Sequence, residues 1–176
     1  MVDDPFRLRV MKAVSAALKD ITPANGYESD MSDFVDEHDL PAERVFRGRT
    51  EYGDNDPLPM LSVLEDPAAL DTGSQGVDNG RGGNTFRILI QGFVSDDKKH
   101  PLDPAYKLSA QVVKALVAAK KDRYNILGLG NKSPCVMALT VGQPVHRPPD
   151  DEVSDVAFFL VAVRLTLAEN LENPYS

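Results

Sequence analysis

The stretch VAFFLVAVRLTL, residues 156–167, decides the fold of this chain. Side chains alternate across a strand, so Phe158 and Leu160 face one way while Phe159 and Val161 face the other. Both sets are apolar, which is the pattern of strands that are buried on both faces. We therefore expect a strand that is central in its sheet or is covered on its second side.

Shorter runs with the same period of two predict the other strands of the sheet. The turn-forming residues 53–57 separate the first two runs, and the Pro- and acid-rich residues 144–155 precede the last one. The predicted strands cover residues 45–49, 58–64, 85–94, 136–141 and 156–167.

Two segments have the three- and four-residue spacing of apolar side chains that is typical of amphipathic helices. The first covers residues 6–21, and the apolar stripe of the second runs from residue 108 to residue 119. Each is preceded by the dipeptide Asp-Pro, at positions 4–5 and 103–104. This dipeptide predicts Asp as the N-cap and Pro as the first helical residue.

The order of the predicted elements is helix, strands, helix, strands. Two helices are too few to cover both faces of a sheet, which favours an α+β fold: a mostly antiparallel β-sheet with two α-helices packed on one face. The second face then needs another cover, and a neighbouring subunit is the natural candidate. We assign residues 1–176 to one domain, with a C-terminal tail at 170–176.

Residues 66–83 form an unusually long connection between two predicted strands. Loops without secondary structure rarely exceed roughly 12–15 residues in compact domains unless they are functional or disordered. The richness of this segment in Gly, Asp and Asn favours a flexible loop that takes its shape from contact with a partner.

The composition limits the classes of function. A formal net charge of −8 and a pI near 4.8 argue against binding DNA or anionic membrane over the whole surface, but they suit a channel along which DNA slides. The longest apolar run, residues 156–163, is far shorter than the roughly 20 residues of a membrane-spanning helix. The single cysteine, Cys135, excludes an internal disulfide and fits a reducing compartment.

Asp96, Asp97, His100 and Asp103 crowd a short loop and could be metal ligands. Lysines interleave with them, and Asp103 is expected to cap a helix, so a solvated turn is the favoured interpretation. A small metal-dependent hydrolase that uses this group is the least favoured alternative. We predict no enzymatic activity, no metal and no cofactor.

Two other groups of polar residues are also interpreted structurally. Cys135 and His146 contain the elements of a thiol nucleophile, but Cys135 begins an apolar strand and is expected to be buried and inert. His38 lies within the acidic run 36–39, which is interpreted as a solvated loop.

Arg44, Arg47 and Arg49 alternate along one predicted strand, close to aromatic residues. Such a pattern is found in nucleic-acid-binding surfaces. In a chain of acidic net charge it favours instead an exposed or interface-facing strand edge.

A series of short motifs follows the chain in a fixed order. They are the first amphipathic helix with Asn25-Gly26-Tyr27 after it, VFRGR at 45–49, LPMLSVLEDP at 58–67, IQGFV at 90–94 with Asp96-Asp97, and HPLDPAY at 100–106. Together they resemble the tail terminator, or tail completion, proteins of long-tailed bacteriophages. The resemblance spans most of the chain and departs most in residues 66–83 and 144–155.

The resemblance implies a structural virion protein that forms a ring, usually a homohexamer. Such a ring caps the tail tube, ends tail polymerisation and offers a surface for joining the head. The implied partners are copies of itself, the tail tube protein, a head–tail connector or neck protein and, in a contractile tail, the sheath protein. DNA is expected to pass through without specific binding, no membrane is involved, and assembly takes place in the host bacterial cytoplasm.

Residues at the expected contact surfaces are candidates for binding these partners. Another neck or head-completion connector protein is the main alternative within the same class of structural proteins. The candidate contact residues are Arg47, Arg49, Asp71, Asp78, Arg81, Arg87 and Phe159.

Overall fold

The structure, a computed structural model, describes residues 4–53, 55–67, 81–95, 97–130, 132–149, 156–170 and 172–175. Within them it has the α+β fold predicted from the sequence. The helices are α1 (Phe6–Lys19) and α2 (Asp103–Ala119), with 3-10 turns at Pro23–Asn25 and Ile126–Gly128. The strands are β1 (Phe34–Val35), β2 (Pro41–Ala42), β3 (Val45–Arg47), β4 (Met60–Glu65), β5 (Arg81–Val94), β6 (Cys135–Val141), β7 (Val145–Arg147) and β8 (Ala157–Asn170).

Strands β3 to β8 form one sheet in the order β3-β4-β5-β8-β6, and β7 also pairs with β8. The β3–β4 pair is parallel and the other described pairs of this sheet are antiparallel. β5 and β8 pair along their whole length, from Arg81 opposite Asn170 to Val94 opposite Ala157. The two-sided apolar strand is therefore central, as predicted, because β5 borders one edge of it and β6 and β7 border the other.

Both helices pack on the same face of the sheet. The predicted stripes are buried there: Val10, Val14 and Leu18 of α1 and Val112 and Leu116 of α2 have no exposed surface. Alternate residues of β5 and β8 complete this main core. Burial of each large aliphatic side chain stabilises the fold by about 1.5–3 kcal/mol.

The helix starts differ from the prediction. Pro5 rather than Asp4 is the N-cap of α1, and Leu102 rather than Asp103 is the N-cap of α2. Neither cap residue makes a side-chain hydrogen bond to the helix. Asp4 instead accepts a hydrogen bond from Lys12 Nζ at 2.5 Å. Asp103 lies in the first turn, where its charge still complements the positive end of the helix dipole.

The connection predicted at residues 66–83 is bounded differently in the structure. β5 begins at Arg81, four residues before the predicted strand, because the partner strand β8 extends far enough to pair with it. Gly82 and Gly83 have no side chains to show an alternating pattern, so the sequence pattern does not indicate this extension. Residues 68–80 lie outside the described residues.

The C-terminal segment, assigned as a tail at 170–176, begins within a strand. β8 runs to Asn170, the first residue of the predicted tail. Further on, the carbonyl oxygen of Pro174 accepts a hydrogen bond from the backbone N–H of Phe6 at 2.8 Å. This bond satisfies one of the unpaired N–H groups at the start of α1.

Candidate functional site

The face of the sheet turned away from the helices, here the outer face, divides into two ends. At one end Met60, Phe93 and Phe158 form a second, smaller buried cluster, against which Tyr52 and Phe46 are partly buried. The ring centroids of Tyr52 and Phe93 are 5.9 Å apart, and those of Phe93 and Phe158 are 6.1 Å apart. This covered end corrects the expectation that the whole second face awaits a neighbouring subunit.

An ion pair between Arg49 and Asp56 helps to hold the connection between β3 and β4 over the covered end. Arg49 Nη1 and Nη2 donate to the two carboxylate oxygens of Asp56 at 2.6 and 2.5 Å. Asp56 also accepts a hydrogen bond from Gly53 N at 2.8 Å, and the Arg49 guanidinium lies 4.7 Å from the ring centroid of Phe46. Arg49, predicted as a partner contact, is therefore engaged within its own chain.

Side-chain burial on the outer face falls in successive rows across β4, β5 and β8. Next to the covered end, Ser62 and Gln91 are opposite each other and buried. The row after that contains Leu64 and Leu89, which are half-buried, and Ala162, which is exposed. The apolar side chains of the outer face thus extend beyond the part that the chain itself covers.

The next row places two positive charges side by side. Arg87 of β5 lies directly opposite Arg164 of β8, and Thr140 of β6 lies opposite Arg164 on its other side. Like charges directly opposite each other destabilise a pair of strands. Neither guanidinium has a hydrogen bond or ion pair within the part of the chain that the structure describes.

These two arginines form the walls of a depression of about 280 Å³ that we call the arginine groove. Asp66 contributes a carboxylate to its lining, and the backbone N–H of Asp66 donates to the carbonyl oxygen of Arg87 at 3.1 Å. The groove is lined mainly by Asp66, Arg87, Thr140, Gly142, Ala162 and Arg164.

Two of the predicted contact residues have clear positions. Arg87 lies in the arginine groove. Phe159 is wrongly predicted as a contact residue: it is fully buried, because the odd-numbered residues of β8 face the helices. Gly92 lies opposite Phe159, and a Cβ atom there would come within 2.3 Å of the phenyl ring. Phe159 is therefore closely packed on both its sides.

The other candidates are scattered. Arg47 is exposed at the end of β3, which is an edge strand. The backbone of Arg81 begins β5, whereas its side chain lies outside the described residues, as do Asp71 and Asp78 altogether. Arg164 was missed, although it is the one charged residue in the stretch VAFFLVAVRLTL.

The acidic run at 36–39 is a folded turn rather than a simple solvated loop. It joins β1 and β2, which pair as a small hairpin separate from the main sheet. Asp36 Oδ1 accepts hydrogen bonds from the N–H groups of His38 and Leu40 at 2.8 and 2.9 Å. Asp39 adopts a left-handed backbone conformation with φ 60°, which Asp tolerates better than most residues. The turn is therefore fixed by its own side chain and backbone.

The hairpin presents acidic and apolar side chains to solvent. The side chain of Glu37 is 87% exposed, and Val35 and Leu40 are 63% and 58% exposed. Its base is attached to the rest of the fold, because Lys19 of α1 pairs with Asp33 at 2.7 Å and with Glu43 at 2.9 Å.

Arg44 also belongs to the base of the hairpin. Its guanidinium lies 4.4 Å from the ring centroid of Phe34 and donates to the carbonyl oxygen of Leu58 at 3.1 Å. Arg44 and Arg49 are thus both structural, and the three alternating arginines do not form a stripe for nucleic acid.

Ser109 and His146 are close enough to suggest a catalytic pair. Ser109 Oγ lies 2.8 Å from His146 Nε2, but it also donates to the carbonyl oxygen of Tyr106 at 3.0 Å and is 2% exposed. The imidazole stacks on Tyr106 at 3.7 Å between centroids, and burial lowers the pKa of His146. The pair joins α2 to β7, and no carboxylate orients this imidazole among the described residues.

The other catalytic groups considered from the sequence are not assembled. Cys135 lies opposite Ala168 and His146 opposite Phe159, nine residues apart on β8, which corresponds to about 30 Å. Asp97 Oδ1 accepts a hydrogen bond from the backbone N–H of Lys99 at 2.8 Å, so this carboxylate is engaged in a local turn. Among the described residues, which exclude Asp96, no three potential ligands are grouped to hold a metal ion.

No protein-family model matches this chain, and no curated protein matches its sequence. No helix within the described residues has both the length and the apolar character needed to cross a membrane. The arginine groove and the acidic hairpin are therefore interpreted from their own geometry and chemistry.

Proposed function

We propose that this protein is the subunit of a ring that caps a bacteriophage tail tube, ends its polymerisation and provides the surface for joining the head. The observation that carries the proposal is the division of the outer face. The chain covers one end of it with its own aromatic residues. At the other end it leaves two arginines, without an ion-pair partner among the described residues, beside half-buried leucines. That arrangement suits contact with another protein surface.

The positions of the resembling motifs support the proposal. VFRGR contains β3 and LPMLSVLEDP contains β4, and Val45 lies opposite Leu61. Leu61 in turn lies opposite Gly92, which belongs to the motif IQGFV. Three motifs that are separate in the sequence therefore meet on adjacent strands, as expected if they are the common framework of one family.

A ring also accounts for the ending of growth. Head-to-tail contacts that close on themselves leave no free interface, so the number of subunits is fixed by geometry. A specific interface buries on the order of 1,600 Å² in total. With two such interfaces on each subunit, the uncovered end of the outer face can be buried against a neighbouring subunit.

The charge of the chain fits the passage of a genome. At −8 per subunit, a ring repels the phosphate backbone and does not hold DNA by nonspecific binding. In this proposal the partners are further copies of the chain, the tail tube protein, a head–tail connector and, in a contractile tail, the sheath protein. The ring is assembled in the host cytoplasm and remains part of the virion.

The proposal is tested by size and by capping. Light scattering of the purified chain, alone and with tail tube protein, is expected to give a mass several times 19.2 kDa, with annular particles in electron micrographs. Added to polymerising tube protein, the chain is expected to stop tube growth. A strict monomer that leaves tube growth unchanged overturns the proposal. Binding to purified heads but not to tubes identifies a head-completion connector instead.

A further inference from the structure

We propose that the acidic hairpin β1–β2 of one copy binds the arginine groove of the next copy. This inference rests on the proposed ring and specifies the contact that holds it together. It names two surfaces of the same chain that complement each other in charge and in apolar character.

The two arginines of the groove have no ion-pair partner within the described residues, although Asp66 also lines the groove. Arg87 and Arg164 lie directly opposite each other, and their mutual repulsion is not relieved by any ion pair in the described part of the chain. A carboxylate placed between two guanidinium groups accepts charge-assisted hydrogen bonds from both. The adjoining Leu89 and Ala162 offer apolar surface beside these charges.

The hairpin carries the matching features. Glu37 and Asp39 are exposed at its tip, with Val35 and Leu40 exposed on either side. The turn is already fixed by the hydrogen bonds of Asp36, so little conformational entropy is lost when it binds. Because its base is attached to α1 through Lys19, the hairpin is held at a defined position on the subunit.

The two surfaces lie towards opposite edges of the sheet. The hairpin leads directly into β3, the edge strand on one side, and Arg44 next to β3 contacts its first strand. The groove spans β5, β8 and the far edge strand β6. One copy therefore cannot fill its own groove with its own hairpin, whereas a row of copies can do so head to tail, which is the contact that closes a ring.

Nucleic acid fits the groove less well than a second copy. The groove has two arginines and also the carboxylate of Asp66, within a chain of net charge −8. Affinity for a phosphate backbone comes from several Lys or Arg side chains that each contact a phosphate along the strand. A compact acidic turn can be bound by the two arginines of the groove alone.

Charge exchange tests the contact. The groove variant is R87E/R164E, and the hairpin variant is E37K/D39N, in which Asn retains the left-handed conformation at position 39. The matched control K98E/K99E makes the same change in charge on exposed lysines outside the groove. Circular dichroism and thermal unfolding establish that each variant folds.

We expect each of the two variants to raise the concentration needed for ring assembly at least tenfold, with the control unchanged. Combining the groove and hairpin variants is expected to restore at least part of the assembly, because the charges are then exchanged between the two surfaces. Light scattering across a dilution series measures the assembly of the groove variant, the hairpin variant, their combination and the control, each compared with the wild type.

The contact is overturned if both variants assemble like the control, in which case the ring stands and uses other surfaces. It is also overturned if the folded combination recovers nothing, or if only the groove variant fails to assemble. Binding of duplex DNA that is lost in R87E/R164E assigns the groove to phosphates and rejects the hairpin. A wild-type chain that remains monomeric with tube protein present overturns both the contact and the ring.

Discussion

The covered end and the arginine groove are built on the same two strands, yet they have opposite properties. At the covered end Phe93 of β5 faces Phe158 of β8 across the ladder, and at the groove Arg87 faces Arg164. The first pair adds aromatic packing, whereas the second places like charges side by side. A sheet selected only for stability has no use for the second arrangement, which is why we assign function to that end.

The largest expected effect is at the covered end. Phe93 is fully buried between Tyr52 and Phe158, so Phe93→Ala leaves a cavity and is expected to lower the free energy of unfolding by about 3–5 kcal/mol. Urea unfolding under conditions where the chain is monomeric measures the change. The matched variant is Leu89→Ala, four residues away on the same face, where the half-buried side chain is expected to contribute much less. Equal losses at the two positions would remove the distinction between the two ends.

The second effect tests whether the covered end depends on its cover. Arg49→Met keeps the alkyl chain but leaves the Asp56 carboxylate, whose side chain is 13% exposed, without its bidentate partner. Loss of hydrogen bonds to a charged group of this kind is expected to cost about 1.5–3 kcal/mol. The cover should also loosen, so the aromatic cluster is expected to bind a hydrophobic dye that the wild type excludes.

Arg47→Met is the control for this variant. Arg47 is exposed at the end of β3, two residues before Arg49, so its loss is expected to change the stability by less than about 0.5 kcal/mol. If both variants behave alike, the cover is held by packing and not by the ion pair.

The fold followed from the sequence where one signal dominated. The apolar stripes of α1 and α2 predict amphipathic helices, and the two-sided apolar stretch predicts a central strand. The structure confirms both predictions. The same stretch could not reveal which aromatic residue faces the helices, because Phe158 and Phe159 are equally apolar and a shift of one residue reverses the faces.

The candidate site depended on information that a single segment does not contain. Arg87 and Arg164 become neighbours only through the register of β5 against β8, two strands far apart in the chain. β1 and β2 have two residues each, too few for a detectable period, so the sequence pattern indicates only a loop there. The hydrogen bonds of Asp36 that fix the turn are local, and an Asp followed by polar turn residues is the signal that indicates them.

A smaller effect concerns pH at the helix side of the covered end. β7 pairs with β8 there, with His146 opposite Phe159, and burial lowers the pKa of His146. A lowered pKa means that the folded state prefers the neutral imidazole. Stability is therefore expected to be complete above the unfolded pKa near 6.5 and to decline as the pH falls through the lower folded value.

Urea unfolding between pH 7.5 and 5.5 measures this decline, in a range above the titration of most carboxylates. Tyr106 and Phe159 are the rings that contact His146 from α2 and β8. In His146→Gln the decline is expected to disappear. If it persists unchanged, other groups titrate and His146 has no part in it.

The smallest predicted effect has the opposite sign from the others. Arg87→Gln removes one of two like charges that face each other, so it is expected to raise the stability of the monomer by about 0.2–1 kcal/mol. Arg147→Gln is the control, because Arg147 faces Phe158 and no second arginine. The same Arg87→Gln variant is expected to weaken ring assembly, and the weakening should shrink as salt screens the charges of the wild type. A substitution that stabilises the single chain while impairing its association separates function from folding at one residue. If Arg87→Gln instead leaves the stability unchanged or lowers it, the repulsion is absent in solution, and the groove loses the property that distinguishes it from the covered end.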